Sequence, residues 1–454
     1  MRVRRGLMAL AAGVVVAAGS VLAFQPTGAA AVACSSTIWA EGIAYTAGQQ
    51  VTYQSTLYQA LVTHTAWAGT NWNPAATPTL WKSLGACSGG TTSPSVSSSP
   101  SRSAGASPSV SVSPSVSVSP SASVSPSASP STSPSTPAGC GVRGRPAGKV
   151  LQGYWENWDG AANGVHPGMG WIPINDSRIT QHGYNVLMAA FPVIRSDGTV
   201  LWENGMDAGV KVPTAAEICA AKAQGATILM SIGGATAGID LSSSAVADRF
   251  VATIVPILKQ YHFDGIDIDI ETGLTGSGNI NTLSTSQANL IRIIDGVLAA
   301  MPSNFGLTMA PETAYVTGGS VVYGSIWGSY LPIIKKYLDN GRLWWLNMQY
   351  YNGSMYGCAG DSYGAGTVQG FTVQTQCLAN GLTIQGTTIR IPYDKQVPGL
   401  PAQPGAGGGH MTPALVAQAW NSVPGIKGLM TWSINWDGSK NWTFGDNVKA
   451  LQGR

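Results

Sequence analysis

Between Phe263 and Glu271 the chain reads Phe-Asp-Gly-Ile-Asp-Ile-Asp-Ile-Glu, and this alternation of isoleucine with acid leaves few structures open to it. Side chains of a strand alternate between its two faces. Ile266, Ile268 and Ile270 therefore share one face, and Asp267, Asp269 and Glu271 the other. The isoleucines exclude an exposed edge strand. Three neighbouring carboxyls on one inner face cannot all ionise cheaply. Such a row is expected where a shared proton and a raised carboxyl pKa serve acid–base chemistry. A metal site is the competing reading, but no CxxC or His/Cys cluster supports it, so neither metal nor cofactor is expected.

From Lys149 onward short apolar runs alternate with helical segments. The strand candidates are 150–155, 185–193, 227–233, 265–271, 306–311, 345–351, 387–391 and 428–434, with helices such as 246–261, 285–301 and 412–421 between them. Eight strands alternating with helices over about 300 residues predict an α/β fold, a (β/α)8 TIM barrel. A doubly wound sheet has the same spacing; the row of inward acids decides for the barrel.

The rest of the chain divides by composition. Residues 1–33 begin with Arg2, Arg4 and Arg5, continue as an apolar run broken by Gly13 and Gly19, and end at Ala31-Val32-Ala33. That is the layout of a secretory signal peptide, with a membrane anchor or a lipid-anchored Cys34 as alternatives. The chain has 24 Lys+Arg and 21 Asp+Glu; without the three leader arginines the balance is 21 against 21. A neutral chain has no footprint for nucleic acid or an anionic membrane surface, and suits a neutral, hydroxyl-rich polymer. A secreted monomer is expected. Six cysteines in an exported protein suggest disulfides. The favoured set is Cys34–Cys87, Cys358–Cys377 and, by elimination, Cys140–Cys219. Residues 88–139 are nearly all Ser, Pro, Val and Ala with Arg102 as the sole charge, too little apolar surface to offset ordering, and read as an extended tether. Residues 34–87 form a small all-β module dense in aromatics: Trp39, Tyr45, Tyr53, Tyr58, Trp67, Trp72 and Trp81. Tyr53, Tyr58 and Trp81 are expected in its core. Trp67 and Trp72, set among Gly, Asn and Pro, are the candidates for stacking on sugar rings. Residues 140–454 form the barrel domain.

Two resemblances follow. Tyr45-Thr46-Ala47-Gly48-Gln49-Gln50-Val51-Thr52-Tyr53, Tyr58-Gln59-Ala60 and Trp81-Lys82-Ser83-Leu84-Gly85-Ala86-Cys87 resemble the chitin- and cellulose-binding modules of families 5 and 12. Leu61 to Trp67 depart from that family's usual Trp-Trp-Thr-Gln stretch. Phe263 to Glu271 fit the Asp-x-x-Asp-x-Asp-x-Glu signature of glycoside hydrolase family 18, and the barrel is similar to the secreted bacterial chitinases of that family. Ser231-Ile232-Gly233-Gly234, Met348-Gln349-Tyr350-Tyr351-Asn352 and Gly428-Leu429-Met430-Thr431-Trp432 look like its third-, sixth- and eighth-strand motifs.

The resemblance implies a retaining endo-chitinase acting on chitin and chitooligosaccharides. Glu271 would be general acid and then base. The substrate's own acetamido oxygen would act as nucleophile, as in the substrate-assisted families. Asp269 would stabilise the oxazolinium, Asp267 would hold the shared proton, and Tyr351 would donate to the acetamido oxygen. Trp432 would floor the subsite. Tyr154, Gln349, Asn352, Met309 and Ser231 complete the expected substrate-binding set, with Ser231 reaching the buried acids; Tyr350, adjacent to Tyr351, should pack beneath a helix. The short interval between the seventh and eighth strands has no room for the small α+β insertion that walls a deep cleft, which favours internal cuts. An endo-β-N-acetylglucosaminidase acting on N-glycans and a non-catalytic chitin-binding lectin are the alternative functions.

Overall fold

A computed structural model describes residues 34, 37–40, 43–61, 64–66, 73–75, 77, 80–87, 140–160, 166, 169–235 and 237–454. The expected leader (1–33), the tether (88–139), Trp67 and Trp72 lie outside the described residues. All three favoured disulfides are present: Cys34–Cys87, Cys140–Cys219 and Cys358–Cys377. Cys34 is thus engaged in a cross-link rather than free for a lipid. Among the described residues no helix is long and apolar enough to cross a membrane.

The small module is antiparallel. Strands Gln50–Tyr53, Thr56–Ala60 and Trp81–Ala86 form one sheet, and Ala44–Tyr45 pairs with His64–Thr65. Tyr45, Val51, Ala60, Ala66, Leu80 and Trp81 fill its core, and Trp39 and Tyr58 pack against it. Tyr53 is half-exposed and meets Trp39 edge to face, with ring centroids 5.1 Å apart.

The large domain is a closed parallel barrel. Its strands are β1 (Val150–Glu156), β2 (Val186–Ala190), β3 (Thr227–Gly233), β4 (Gly265–Asp269), β5 (Gly306–Met309), β6 (Leu343–Leu346), β7 (Gly399–Pro401) and β8 (Gly428–Trp432). β1 through β6 pair in sequence, β7 pairs with β8, and β8 pairs with β1. Parallel bridges Leu346–Gln396 and Gln349–Gly399 close the gap between β6 and β7. Helices fill the connections where start signals call for them. Ser284 and Gln287 form a capping box before Thr285–Ala300, as do Thr214 and Glu217 before Ala215–Ala223, and Thr412 caps Pro413–Ser422 with proline in the first turn.

Alternation along the strands sorts the side chains. Ile266, Ile268, Ile270, Leu307 and Met309 face the surrounding helices in the main core. Val150, Tyr154, Val186, Met188, Leu229, Trp345, Tyr351 and Met430 fill the barrel interior. At the base, Lys222 Nζ lies 2.7 Å from Asp264 Oδ1, both side chains fully buried. Lys222 also donates to the carbonyls of Gly141 and His262, and Asp264 accepts from the amides of Arg143 and Ile228.

The seventh strand is not where the sequence places it. Residues 387–391 do start as a strand, but Thr387–Ile389 forms a hairpin with Leu382–Ile384 outside the barrel. The barrel strand is Gly399–Pro401, three residues ending in proline, which no periodicity marks. The sixth strand likewise stops at Leu346, and residues 347–351 continue along the wall held by isolated bridges, Gln349 to Glu312 just past β5 and Gln349 to Gly399 of β7. Residues 402–427, which join β7 to β8, hold the helix Pro413–Ser422 and no inserted sheet.

Candidate active site

The acids of β4 climb the barrel interior and end at its C-terminal mouth, where barrel catalysts place their chemistry. Asp267 is fully buried and surrounded by neutral donors. Oδ2 accepts from Tyr154 Oη and Ser231 Oγ, each at 2.8 Å; Oδ1 accepts from Thr308 Oγ1 at 2.6 Å and Asn347 Nδ2 at 3.1 Å. Burial raises its pKa, and the four donors work against that rise.

Asp269 stands next, pressed against Glu271. Burial and the charges of Glu271 and Asp267 raise its carboxyl well above the usual range. Glu271, half-buried at the rim, is pushed up to about 7 by burial, which hydrogen bonds from Gln349 and Asp269 offset in part. Gln349 Nε2 bridges the two, 3.0 Å from Asp269 Oδ1 and 2.9 Å from Glu271 Oε1, and also points at the Ala310 carbonyl. Two carboxyls in contact titrate as a pair with one proton between them. A third acid, Glu312, follows β5; burial and the charge of Glu271 raise it to about 8. The strand end is fixed from outside: Tyr330 Oη donates to the Ile270 carbonyl at 2.8 Å and Tyr315 Oη to the Glu271 carbonyl at 2.5 Å. Gly233 allows the approach from the other side. It has φ +112°, and a Cβ there would sit 2.1 Å from the Asp269 carbonyl oxygen, which accepts from the Gly234 amide.

The two tyrosines of the sixth-strand segment part company as alternation requires. Tyr350 packs on Phe371, its hydroxyl accepting from Thr375 beneath the helix Val368–Asn380. Tyr351 faces the interior; burial and the charges of Asp269 and Glu271 keep its phenol protonated. Across the mouth, the half-buried rings of Trp432, Phe191 and Trp158 gather, with Phe191 stacked on both tryptophans at centroid distances of 6.0 and 6.4 Å. On the other side Glu312, Thr313, Trp327, Gln349 and Tyr356 line a depression that opens from Glu271.

The model of the glycosyl hydrolases family 18 matches residues 150–351, and that of carbohydrate-binding module family 5/12 matches residues 38–82. Endochitinase 37 of Trichoderma harzianum is 82% identical over 309 residues, covering 68% of this chain and 92% of that protein. This chain belongs to glycosyl hydrolase family 18. Endochitinase 4 of Metarhizium robertsii is 78% identical over 312 residues, covering 68% of this chain and 90% of that protein. A solved family 18 chitinase from Chromobacterium violaceum is 29% identical, superposes with a TM-score of 0.58 and covers 93% of this chain and 100% of its own. The bacterial character attached to the resemblance finds no support in relatives at 78–82% identity, which are fungal.

Within this family 18 barrel the expected residues divide. Asp267, Asp269, Glu271, Gln349 and Tyr351 converge, with Tyr154 reaching in through Asp267. Ser231 is fully buried under Asp267 and out of reach of a sugar. Met309 does not line the pocket: Thr308 turns inward to Asp267, so alternation sends Met309 outward, fully buried among the helices. Asn352 borders the depression, but its Oδ1 accepts from the Gly408 amide at 2.7 Å and pins the glycine-rich loop. Both oxygens of Asp267 accept from neutral donors, while Asp269 and Glu271 lie against each other with Gln349 bridging them. Sequence reasoning left out Glu312, Asn347, Thr308, Trp158, Trp327 and Tyr356. Ala310-Pro311-Glu312 at a barrel strand's C-terminal end was a legible signal for the first; the others needed the fold.

Proposed function

We propose that this chain is a secreted endo-chitinase that hydrolyses β-1,4 linkages between N-acetylglucosamine units of chitin and chitooligosaccharides. The observation that carries the reading is the contact of Asp269 and Glu271 at the barrel mouth, bridged by Gln349, where burial pushes Glu271 up to about 7. A carboxyl in that range is a competent general acid near neutral pH. Glu271 protonates the glycosidic oxygen. The substrate's 2-acetamido oxygen attacks the anomeric carbon from the opposite side, so no carboxylate nucleophile is needed. Asp269 gives up its contact with Glu271 to accept from the acetamido N–H and balance the oxazolinium charge. Tyr351 Oη donates to the acetamido oxygen, and Trp432 lies beneath the distorted ring. Glu271, now anionic, deprotonates the water that opens the oxazolinium, and configuration is retained. Asp267 holds Asp269 in place through its field.

The same reading assigns residues 1–33 as the export leader, 34–87 as the chitin-binding module with Trp67 and Trp72 as contacts, 88–139 as the tether and 140–454 as the catalytic domain, acting as a monomer. Fully extended at about 3.1 Å per residue, such a tether would let the module hold the barrel at high effective concentration on a solid. The single helix between β7 and β8 favours an open cleft and internal cleavage.

The test is a time course of soluble products from colloidal chitin. The unaltered chain releases a mixture of oligomers, and Glu271→Gln is slower by roughly 10²–10⁴-fold. Chitobiose as sole early product overturns the endo mode; binding without release, or glycan release from a high-mannose glycoprotein, overturns the chitinase reading. Deleting residues 34–138 lowers activity on insoluble chitin and spares soluble oligomers. Equal loss on both would make the module a folding aid.

A further inference from the structure

Behind the aromatic rim lies a buried ion pair that the acid cluster does not use. Glu156 ends β1 and His166 follows in the next connection; both side chains are fully buried. His166 Nε2 is 2.5 Å from Glu156 Oε2, and Nδ1 is 2.9 Å from the Met169 carbonyl oxygen. The Met169 carbonyl only accepts, so Nδ1 carries a proton, and one further proton lies between Nε2 and Glu156 Oε2. Burial alone would lower this histidine's pKa, but the hydrogen bond and charge of Glu156 outweigh it and the pKa is raised.

The pair is wired to the far side of the barrel seam. The second oxygen of Glu156 accepts from Ser433 Oγ, and the Glu156 amide donates to Asn435 Oδ1 at 3.0 Å. Ser433 immediately follows Trp432 and caps the short helix Ile434–Gly438 through the Trp436 amide. On the other side, Asn157 Nδ2 donates to the Phe191 carbonyl at 2.9 Å, and Trp158 comes next. One charged cluster thus ties down the chain beside all three rim rings. Gly160 shows that the local chain accommodates it: a Cβ there would lie 2.0 Å from His166 Nε2. A buried ion pair is a poor way to gain stability when an apolar pair would serve. Its directional bonds do hold two strand ends in one register.

We propose that Glu156 and His166 are positioning residues that, through Ser433 on one side and the adjoining Asn157 on the other, hold Trp432, Phe191 and Trp158 as a rigid platform for the sugar units preceding the cleaved bond. This rests on the reading of Trp432 as a sugar floor. Neither residue touches substrate. Their loss therefore weakens the hold on chains long enough to lie along the platform, with little effect on proton transfer.

The test uses the full chain with hexa-N-acetylchitohexaose and a chromogenic monosaccharide-leaving disaccharide substrate. His166→Gln and Glu156→Gln raise KM for the hexamer roughly tenfold while kcat changes less than about threefold, and the short substrate is affected less. In a Glu271→Gln background, hexamer binding followed by tryptophan fluorescence weakens by the same factor. Ser433→Ala keeps the ion pair but cuts its link to the rim, and shows the same KM shift in smaller measure; it decides the matter if the charged variants do not fold. Variants that lose thermal stability but keep KM and binding unchanged overturn the proposal, because the pair then only supports the fold. An unaltered chain that neither binds nor cleaves the hexamer sinks the chitinase reading itself, a result distinct from unchanged binding in the variants.

Discussion

At the base of the barrel Asp264 is buried against Lys222 and two backbone amides; at the mouth, seven residues along the same segment, Glu271 meets another acid. Among the described residues no Lys, Arg or His forms an ion pair with Asp269 or Glu271. Halfway up, Asp267 meets no cation but four neutral donors. One strand therefore settles its charge in three ways: an ammonium at the base, hydroxyls and an amide in the middle, a proton at the top. Only the last leaves a carboxyl that can give its proton to a ligand. The acid row is therefore not of one kind along its length. Its lower end is built for stability, and its upper end gives stability up.

The largest effects should separate the two ends completely. Lys222→Met leaves Asp264 buried without its partner and costs roughly 3–5 kcal/mol of stability, with kcat per folded molecule unchanged. Asp269→Asn removes one of two crowded carboxyls; stability at neutral pH does not fall, while kcat on soluble oligomers drops by roughly 10²-fold or more. Urea denaturation and steady-state kinetics on the two purified variants check this. A fully stable Lys222→Met, or an active Asp269→Asn, breaks the division.

The upper end should also respond to pH in a stated direction. Glu271 and Glu312 rise from 4.5 to about 7 and about 8. A carboxyl whose pKa is raised by folding adds stability below its unfolded value, and that stability is lost as pH climbs through the folded value. Thermal midpoints should therefore decline from about pH 4.5 toward pH 8, and Glu312→Gln should flatten the upper part of the slope. With Glu271 as the proposed general acid, activity falls on the same side as it loses its proton above about 7; kcat/KM should drop about tenfold per pH unit there. Midpoints that stay level across this window would mean the acids at the mouth are better solvated than their burial implies.

Much of this gradient was legible before any coordinates. Period-two alternation alone placed Asp267, Asp269 and Glu271 inward and the isoleucines outward, and adjacency alone sent Tyr350 and Tyr351 to opposite faces. What stayed hidden has physical reasons. Thr308, Asn347 and Tyr154 meet Asp267 only because β1, β5 and the end of β6 converge in the closed barrel, and no local pattern records that. Met309 turns outward because the inward bond of Thr308 fixes the phase of a four-residue strand, a phase that so short a run does not reveal. Gly399–Pro401 escaped because a three-residue strand ending in proline has no period to detect, whereas Thr387–Ile389 has strand propensity and uses it in a hairpin. Glu156 and His166 sit ten residues apart with nothing to mark them as a pair.

The smallest effect tests the middle of the strand. Ser231→Ala removes one of the two donors to Asp267 Oδ2 and leaves Tyr154 in place. A hydrogen bond to a charged group is worth roughly 1.5–3 kcal/mol, and the remaining donor keeps the loss near the lower figure. Because Ser231 is fully buried, any kinetic effect must pass through Asp267 to Asp269. A modest fall in kcat, of a few-fold, with KM unchanged is the expected result, alongside a thermal midpoint a few degrees lower. A rise in KM without loss of stability would place the hydroxyl in contact with the sugar. The middle acid would then belong to the mouth of the barrel, and three charge regimes would reduce to two.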